Sequence, residues 1–126
     1  MSSAVLDASA VLAFVHGEPG AAVAQRAIPG GRMGAVNWSE VALKVLRSGK
    51  PWEPVRTALL GAGLQVEGFT AHDAEIAAAL AVENPGRGLS LADRACLALG
   101  RRLRLPVITA DRSWKGVPGV KVQVLS

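Results

Sequence analysis

Ten of the 126 residues are acidic, and four of them stand where an apolar stretch stops. Asp7 follows Ala4-Val5-Leu6, Glu40 closes Asn37-Trp38-Ser39-Glu40, Asp93 closes Ser90-Leu91-Ala92-Asp93, and Asp111 follows Leu105-Pro106-Val107-Ile108-Thr109-Ala110. Carboxylates gathered at one place repel, because unit charges about 4 Å apart interact by roughly 4 kcal/mol at an effective dielectric near 20. Such a cluster persists if some acids stay protonated or if a divalent cation sits among them. All-oxygen ligation suits Mg²⁺, with Mn²⁺ as an alternative. An ion of that kind polarises a phosphoryl oxygen and activates a water. Each acid also has an ordinary reading. Asp7 is a candidate N-cap, and Asn37-x-x-Glu40, Thr70-x-x-Asp73 and Ser90-x-x-Asp93 all have the form of a capping box. Acids in a first helical turn gain roughly 0.3–1 kcal/mol from the helix dipole. Asp73 is read as a cap only, and Glu18, Glu53, Glu67, Glu75 and Glu83 are given no role.

The elements that must carry these acids alternate along the chain. Strands are expected at Ser3–Leu6, Arg32–Val36, Leu64–Phe69, Val107–Thr109 and Val120–Leu125. Helices are expected over Ala8–His16, Ala21–Ala27, Asn37–Arg47, Pro51–Leu60, Thr70–Val82 and Ser90–Leu103, with glycine and proline breaks between them. Strands alternating with helices imply an α/β fold with a parallel sheet covered on both faces. Ligands in such sheets bind beyond the carboxyl ends of the strands, where the strand order switches. Asp7 and Asp111 both fall just past strand ends.

The length fits one domain over residues 1–126, and half of the residues are hydrophobic, enough for a core without disulfides or a structural metal. No apolar run approaches the roughly 18–20 residues of a membrane span. The opening segment has no basic n-region and carries Asp7 within its apolar part, which makes it a poor signal peptide. Cys96 is the lone cysteine, so no internal disulfide forms, and no Cys/His spacing indicates zinc. A cytoplasmic protein is expected. The net charge of +4 permits binding to a polyanion without proving it. The arginines of Arg101-Arg102-Leu103-Arg104 read equally well as a solvated helix end.

Four stretches, in this order, resemble the PIN-domain ribonucleases, and within them the VapC-type toxins of bacterial toxin–antitoxin pairs: VLDASAVLAF, GEPG, AVNWSEVALKVL and LSLADRACLALGRRLRLPVITADRSW. The resemblance runs over nearly the whole chain. It implies a three-layer α/β/α fold with a central, mostly parallel sheet of four to five strands. It implies a metal-dependent endoribonuclease in which Asp7, Glu40, Asp93 and Asp111 hold one or two Mg²⁺ or Mn²⁺ ions and a water attacks an RNA phosphodiester. Ser9 and Thr109 become candidate supporting or phosphate-contact hydroxyls, and Arg112 a candidate phosphate contact. Ser113 stands where some relatives have a further acid, and Ala8 where many have a hydroxyl. The resemblance further implies a VapB-type antitoxin seated over the acidic groove, with helices 8–16 and 41–46 as candidate apolar lining, and a toxin homodimer. Two other readings compete: a PIN-domain RNA-processing nuclease without an antitoxin, and a Mg²⁺-binding non-enzymatic α/β module. The latter normally has adjacent acids after an early strand and a lysine after a late one, and neither is present.

Overall fold

Asp7 ends the first strand almost as soon as it starts. In the computed structural model, which describes residues 3–125, strand β1 is only Val5–Leu6. Helix α1 (Ala8–Val15) follows at once, with the Asp7 carboxylate accepting the N–H of Ala10 as its N-cap. Helix α2 (Ala21–Ala27) leads to strand β2 (Arg32–Gly34). Then come helices α3 (Ala35–Arg47) and α4 (Trp52–Gly61), strand β3 (Gln65–Glu67), and helices α5 (Ala71–Glu83) and α6 (Leu91–Leu103). Strand β4 (Val107–Thr109), a 3₁₀ turn at Arg112–Trp114 and strand β5 (Val122–Val124) complete the order. The five strands form one sheet, β3-β2-β1-β4-β5, with every pairing parallel.

The alternation of side chains across the sheet produces two cores. Leu6, Met33 and Ile108 point to one face and pack with residues of α1, α3 and α4. Val5 and Val107 point to the other and pack with residues of α5 and α6. The layers are therefore α/β/α, as the resemblance implied. Helix α6 lies close on β4 because position 100 is glycine, where a Cβ would collide with the Val107 side chain. Three arginines of α6 tie it to α5: Arg102 pairs with Asp73 at 2.6 Å, Arg101 with Glu83 at 3.0 Å, and Arg94 donates to the Ala77 carbonyl at 3.0 Å. Arg101 and Arg102 are thus engaged within the fold, and so is Glu67, which pairs with Arg32. Among the described residues, no helix is long and apolar enough to cross a membrane.

Several boundaries differ from expectation. The edge strands expected at Leu64–Phe69 and Val120–Leu125 are each three residues long. Each pairs with a three-residue neighbour, β2 or β4, and beyond β5 the backbone contact with β4 continues only as single hydrogen bonds, such as Leu125 N–H to the Thr109 carbonyl at 2.8 Å. The strand expected at Arg32–Val36 stops at Gly34, and α3 begins at Ala35. Val36 favours a strand by type, but that preference is weak and tertiary contacts override it. Asn37 consequently lies inside the first turn of α3 and caps nothing; the N-cap is Gly34. The boxes at Thr70/Asp73 and Ser90/Asp93 form as expected.

Candidate active site

Strand order reverses at β1, which has β2 on one side and β4 on the other. The chain segments leaving β1 and β4 therefore diverge from adjacent strand ends and leave a cleft between them. A cavity of about 210 Å³ occupies this position, lined by Asp7, Ala8, Ser9, Leu12, Asn37, Glu40, Lys44, Asp93, Asp111 and Trp114. All four acids singled out in the sequence line it.

Asp7 is the innermost of them, 5 % exposed. Its Oδ1 accepts the Ala10 N–H at 2.8 Å and the Ser9 hydroxyl lies 2.7 Å away, while Thr109 Oγ1 donates to Oδ2 at 2.6 Å. The two hydroxyls in turn accept backbone N–H groups from the segment after β4: Ala110 N–H to Ser9 Oγ at 2.9 Å and Asp111 N–H to Thr109 Oγ1 at 3.0 Å. Ser9 and Thr109 thus bolt the end of β1 to the end of β4. Burial pushes the Asp7 carboxyl above the usual carboxylate range; hydrogen bonds from Thr109, Ser9 and Ala10 oppose this without cancelling it, and the charge of Asp93 adds to the rise.

The other three acids come from three different elements. Glu40, on α3, receives the Asn37 side-chain N–H at Oε1, 3.0 Å. The same Asn37 amide donates to the Ala92 carbonyl at 3.1 Å, beside Asp93 on α6. Asn37 is 2 % exposed, and its Oδ1 is buried without a partner among the described residues. A flipped amide would turn that oxygen toward two acceptors, so the orientation is determined by the network. Asp93 spends Oδ2 on the Ser90 N–H in the capping box, and Asp111 spends Oδ1 on the N–H and hydroxyl of Ser113. Glu40 Oε2, Asp93 Oδ1 and Asp111 Oδ2 accept no hydrogen bond from the described residues. The ordinary capping reading and the chemical one therefore coexist, since one oxygen caps and the other is left over.

The thiol of Cys96 reports the same convergence from behind. Burial pushes it well above its ordinary value, and Asp7, Asp93 and Glu40 each add to the rise. No three acid, imidazole or thiol groups among the described residues are drawn together tightly enough to grip an ion as the side chains stand. The donor chemistry nevertheless fits a hard divalent cation: four carboxylates on one cavity, three with an unused oxygen.

Arg112 is not among the cavity-lining residues, and it forms no ion pair within the described residues. It follows Asp111 in sequence and is exposed at the start of the 3₁₀ turn. Trp114 instead turns inward: it is 2 % exposed, lines the cavity, and its indole N–H has no acceptor among the described residues. Trp38 packs edge-on against Trp52 with ring centroids 5.0 Å apart. Asn37 and Lys44 are lining residues that sequence reasoning missed. Their spacing held the signal, since both lie within one helical turn of Glu40.

A second, apolar groove of about 290 Å³ runs between α1 and α4, lined by Phe14, Val15, Pro54, Val55, Ala58 and Leu59. Helix α1 forms one wall of it. Of residues 41–46, Val41 and Val45 face the core, Lys44 lines the acidic cavity, and Leu43 and Leu46 are exposed.

The PIN domain family model matches residues 4–120. No curated protein matches the chain in sequence. A toxin–antitoxin complex from Klebsiella pneumoniae contains a chain similar in structure at 27 % identity, with 94 % of this chain and 95 % of that chain covered and a TM-score of 0.78. A sarcin–ricin-loop-cleaving VapC toxin of Mycobacterium tuberculosis shares the fold at 21 % identity, 94 % and 99 % coverage and a TM-score of 0.70. A VapBC complex of Rickettsia felis bound to a promoter DNA fragment does so at 13 % identity, 97 % and 98 % coverage and a TM-score of 0.72.

Proposed function

We propose that this chain, which belongs to the PIN domain family, is a divalent-cation-dependent endoribonuclease toxin neutralised by a VapB-type antitoxin. The observation that carries the reading is the meeting of Asp7, Glu40, Asp93 and Asp111 on one cavity at the switch in strand order. The Klebsiella chain, drawn from a toxin–antitoxin complex, supports the biological role.

These four acids would hold Mg²⁺ or Mn²⁺, which supplies the positive charge that acidifies a water and offsets charge on a phosphoryl oxygen. The chain's own residues do the positioning. Ser9 and Thr109 hold the Asp7 carboxylate in a single orientation, and Asn37 does the same for Glu40. The unused oxygens Glu40 Oε2, Asp93 Oδ1 and Asp111 Oδ2 are the acceptors available to orient an attacking water and take its proton. In-line attack on the phosphodiester then displaces the adjoining ribose oxygen.

The groove between α1 and α4 is an apolar seat suited to a segment of the antitoxin. Leu43 and Leu46, exposed at 46 % and 55 % on α3, supply apolar surface for a second copy in a homodimer. One domain over residues 1–126, acting in the cytoplasm on RNA, completes the reading.

The test is cleavage of total cellular RNA by the antitoxin-free protein with Mg²⁺, with Mn²⁺ and with EDTA, beside folded Asp7→Ala and Asp93→Ala variants. Discrete cleavage that needs the ion and is lost in both variants is expected. Cleavage that persists in EDTA or in both variants would sink the carboxylate mechanism.

A further inference from the structure

Four carboxylates repel the substrate they are meant to cut. RNA carries one negative charge per nucleotide, and even one bound divalent ion offsets only half of the four acid charges. A nuclease site of this kind needs a cation of its own facing the strand. Most nearby cations are committed elsewhere. Arg94, Arg101 and Arg102 bind α5, Arg87 donates to the carbonyls of Ser113 and Lys115, and Arg112 lies outside the cavity.

Lys44 is the exception. It is the only cation among the described residues lining the cavity. It stands one turn beyond Glu40 on α3, in the order Glu then Lys that favours a pair along a helix. That pair does not form: Glu40 Oε1 takes the Asn37 amide, and Lys44 belongs to none of the ion pairs among the described residues. Its side chain is exposed. An unpaired ammonium beside four carboxylates serves a ligand better than it serves the fold.

We infer that Lys44 is a substrate-binding residue of the site, contacting a phosphate of the RNA strand held over the four acids. The inference rests on the nuclease reading above. It makes two demands of opposite sign. Removing the cation weakens binding of RNA. Removing it also takes positive charge away from the acids, so a divalent cation binds equally well or more tightly. A lysine that merely supported the fold would weaken both.

The experiment uses Lys44→Ala and Lys44→Arg in the full chain. Binding of a fluorescent mixed-sequence single-stranded RNA is followed by anisotropy in Mg²⁺ over a salt series, with Asp7→Asn present in every protein so that the strand survives. Mn²⁺ binding is measured by calorimetry with Asp7 intact. Lys44→Ala is expected to weaken RNA binding roughly tenfold, as for loss of a charge-assisted hydrogen bond. It should also flatten the log–log salt dependence by about 0.7, one phosphate contact on a single strand. Lys44→Arg restores both, and Mn²⁺ affinity does not fall in either variant. Unchanged RNA affinity and salt slope in Lys44→Ala overturns the assignment, as does a joint loss of RNA and Mn²⁺ affinity. The wild-type chain assayed on total RNA separates the two claims. If it cuts and Lys44→Ala binds RNA as before, only the Lys44 assignment falls. If it neither cuts nor binds RNA, the nuclease reading falls and takes this one with it.

Discussion

Asp7 and Asp73 are both buried aspartates that cap helices, yet their environments shift them in opposite directions. For Asp7, burial dominates and raises the carboxyl. Without a bound cation, its charge costs the folded state stability above the raised value. That cost disappears as pH falls below the unfolded value of about 4. Asp7→Asn keeps the shape and the N-cap, so we expect it to abolish cleavage and raise Tm by a few degrees at neutral pH, as for a gain of about 1 kcal/mol. The gain should vanish near pH 3.5 in melting curves recorded in EDTA. Addition of Mn²⁺ should stabilise the wild type, by ~2.7 kcal/mol at a hundred times Kd, and stabilise Asp7→Asn far less. For Asp73, burial again raises the carboxyl. The Thr70 backbone N–H, the Arg102 guanidinium and the Thr70 hydroxyl outweigh it, and the net shift is downward. Its contribution is therefore present above the unfolded value and lost as pH falls through the lowered one. Asp73→Asn should destabilise by ~0.5–2 kcal/mol at neutral pH, with the deficit closing in acid. Denaturant titrations of both variants at pH 7 and pH 3.5 would show two pH dependences of opposite slope; parallel slopes would contradict this account.

Asp111 depends on an element as well as on its own bonds to Thr109 and Ser113. It is exposed, and it begins a single 3₁₀ turn, too short to hold itself in place. Arg87, from the loop between α5 and α6, donates to the carbonyls of Ser113 at 2.7 Å and Lys115 at 3.0 Å and clasps that turn from outside. Arg87→Ala is expected to lower RNA cleavage by about tenfold, a loss of roughly 1.4 kcal/mol within the range for hydrogen bonds from a charged donor. Faster amide hydrogen exchange should appear at residues 111–115 and not in the core strands. Full activity with unchanged exchange would remove Arg87 from the positioning of Asp111.

On the proposed reading, cleavage and antitoxin docking use different surfaces of the whole molecule. The acidic cavity opens at the strand ends, whereas the apolar groove lies between α1 and α4. Ala58 is exposed on the groove wall and touches none of the four acids' hydrogen-bond networks. Ala58→Glu should leave RNA cleavage intact and weaken neutralisation by the antitoxin at least about tenfold, because a charge would be buried in an apolar contact. Titration of antitoxin into a cleavage assay measures this directly. Neutralisation at wild-type concentrations would mean that the antitoxin docks elsewhere.

Local rules were enough to read much of this protein from its residues. Alternating apolar runs and glycine breaks specify the strand and helix order, and Thr70-x-x-Asp73 and Ser90-x-x-Asp93 specify two caps, because those interactions span only a few residues. Placing Asp7 and Asp111 at strand ends required no coordinates either. Strand lengths did, since β3 and β5 end where their neighbours end rather than where their own residue types change. Asn37 shows the same division most clearly. Its spacing from Glu40 reads as a cap, but Gly34 takes that position and the Asn37 amide reaches Ala92, far along the chain on α6. Trp114 lines the cavity and Arg112 does not, for one reason. Which way a side chain faces depends on the packing of helices against the sheet, and no interval in the sequence encodes that.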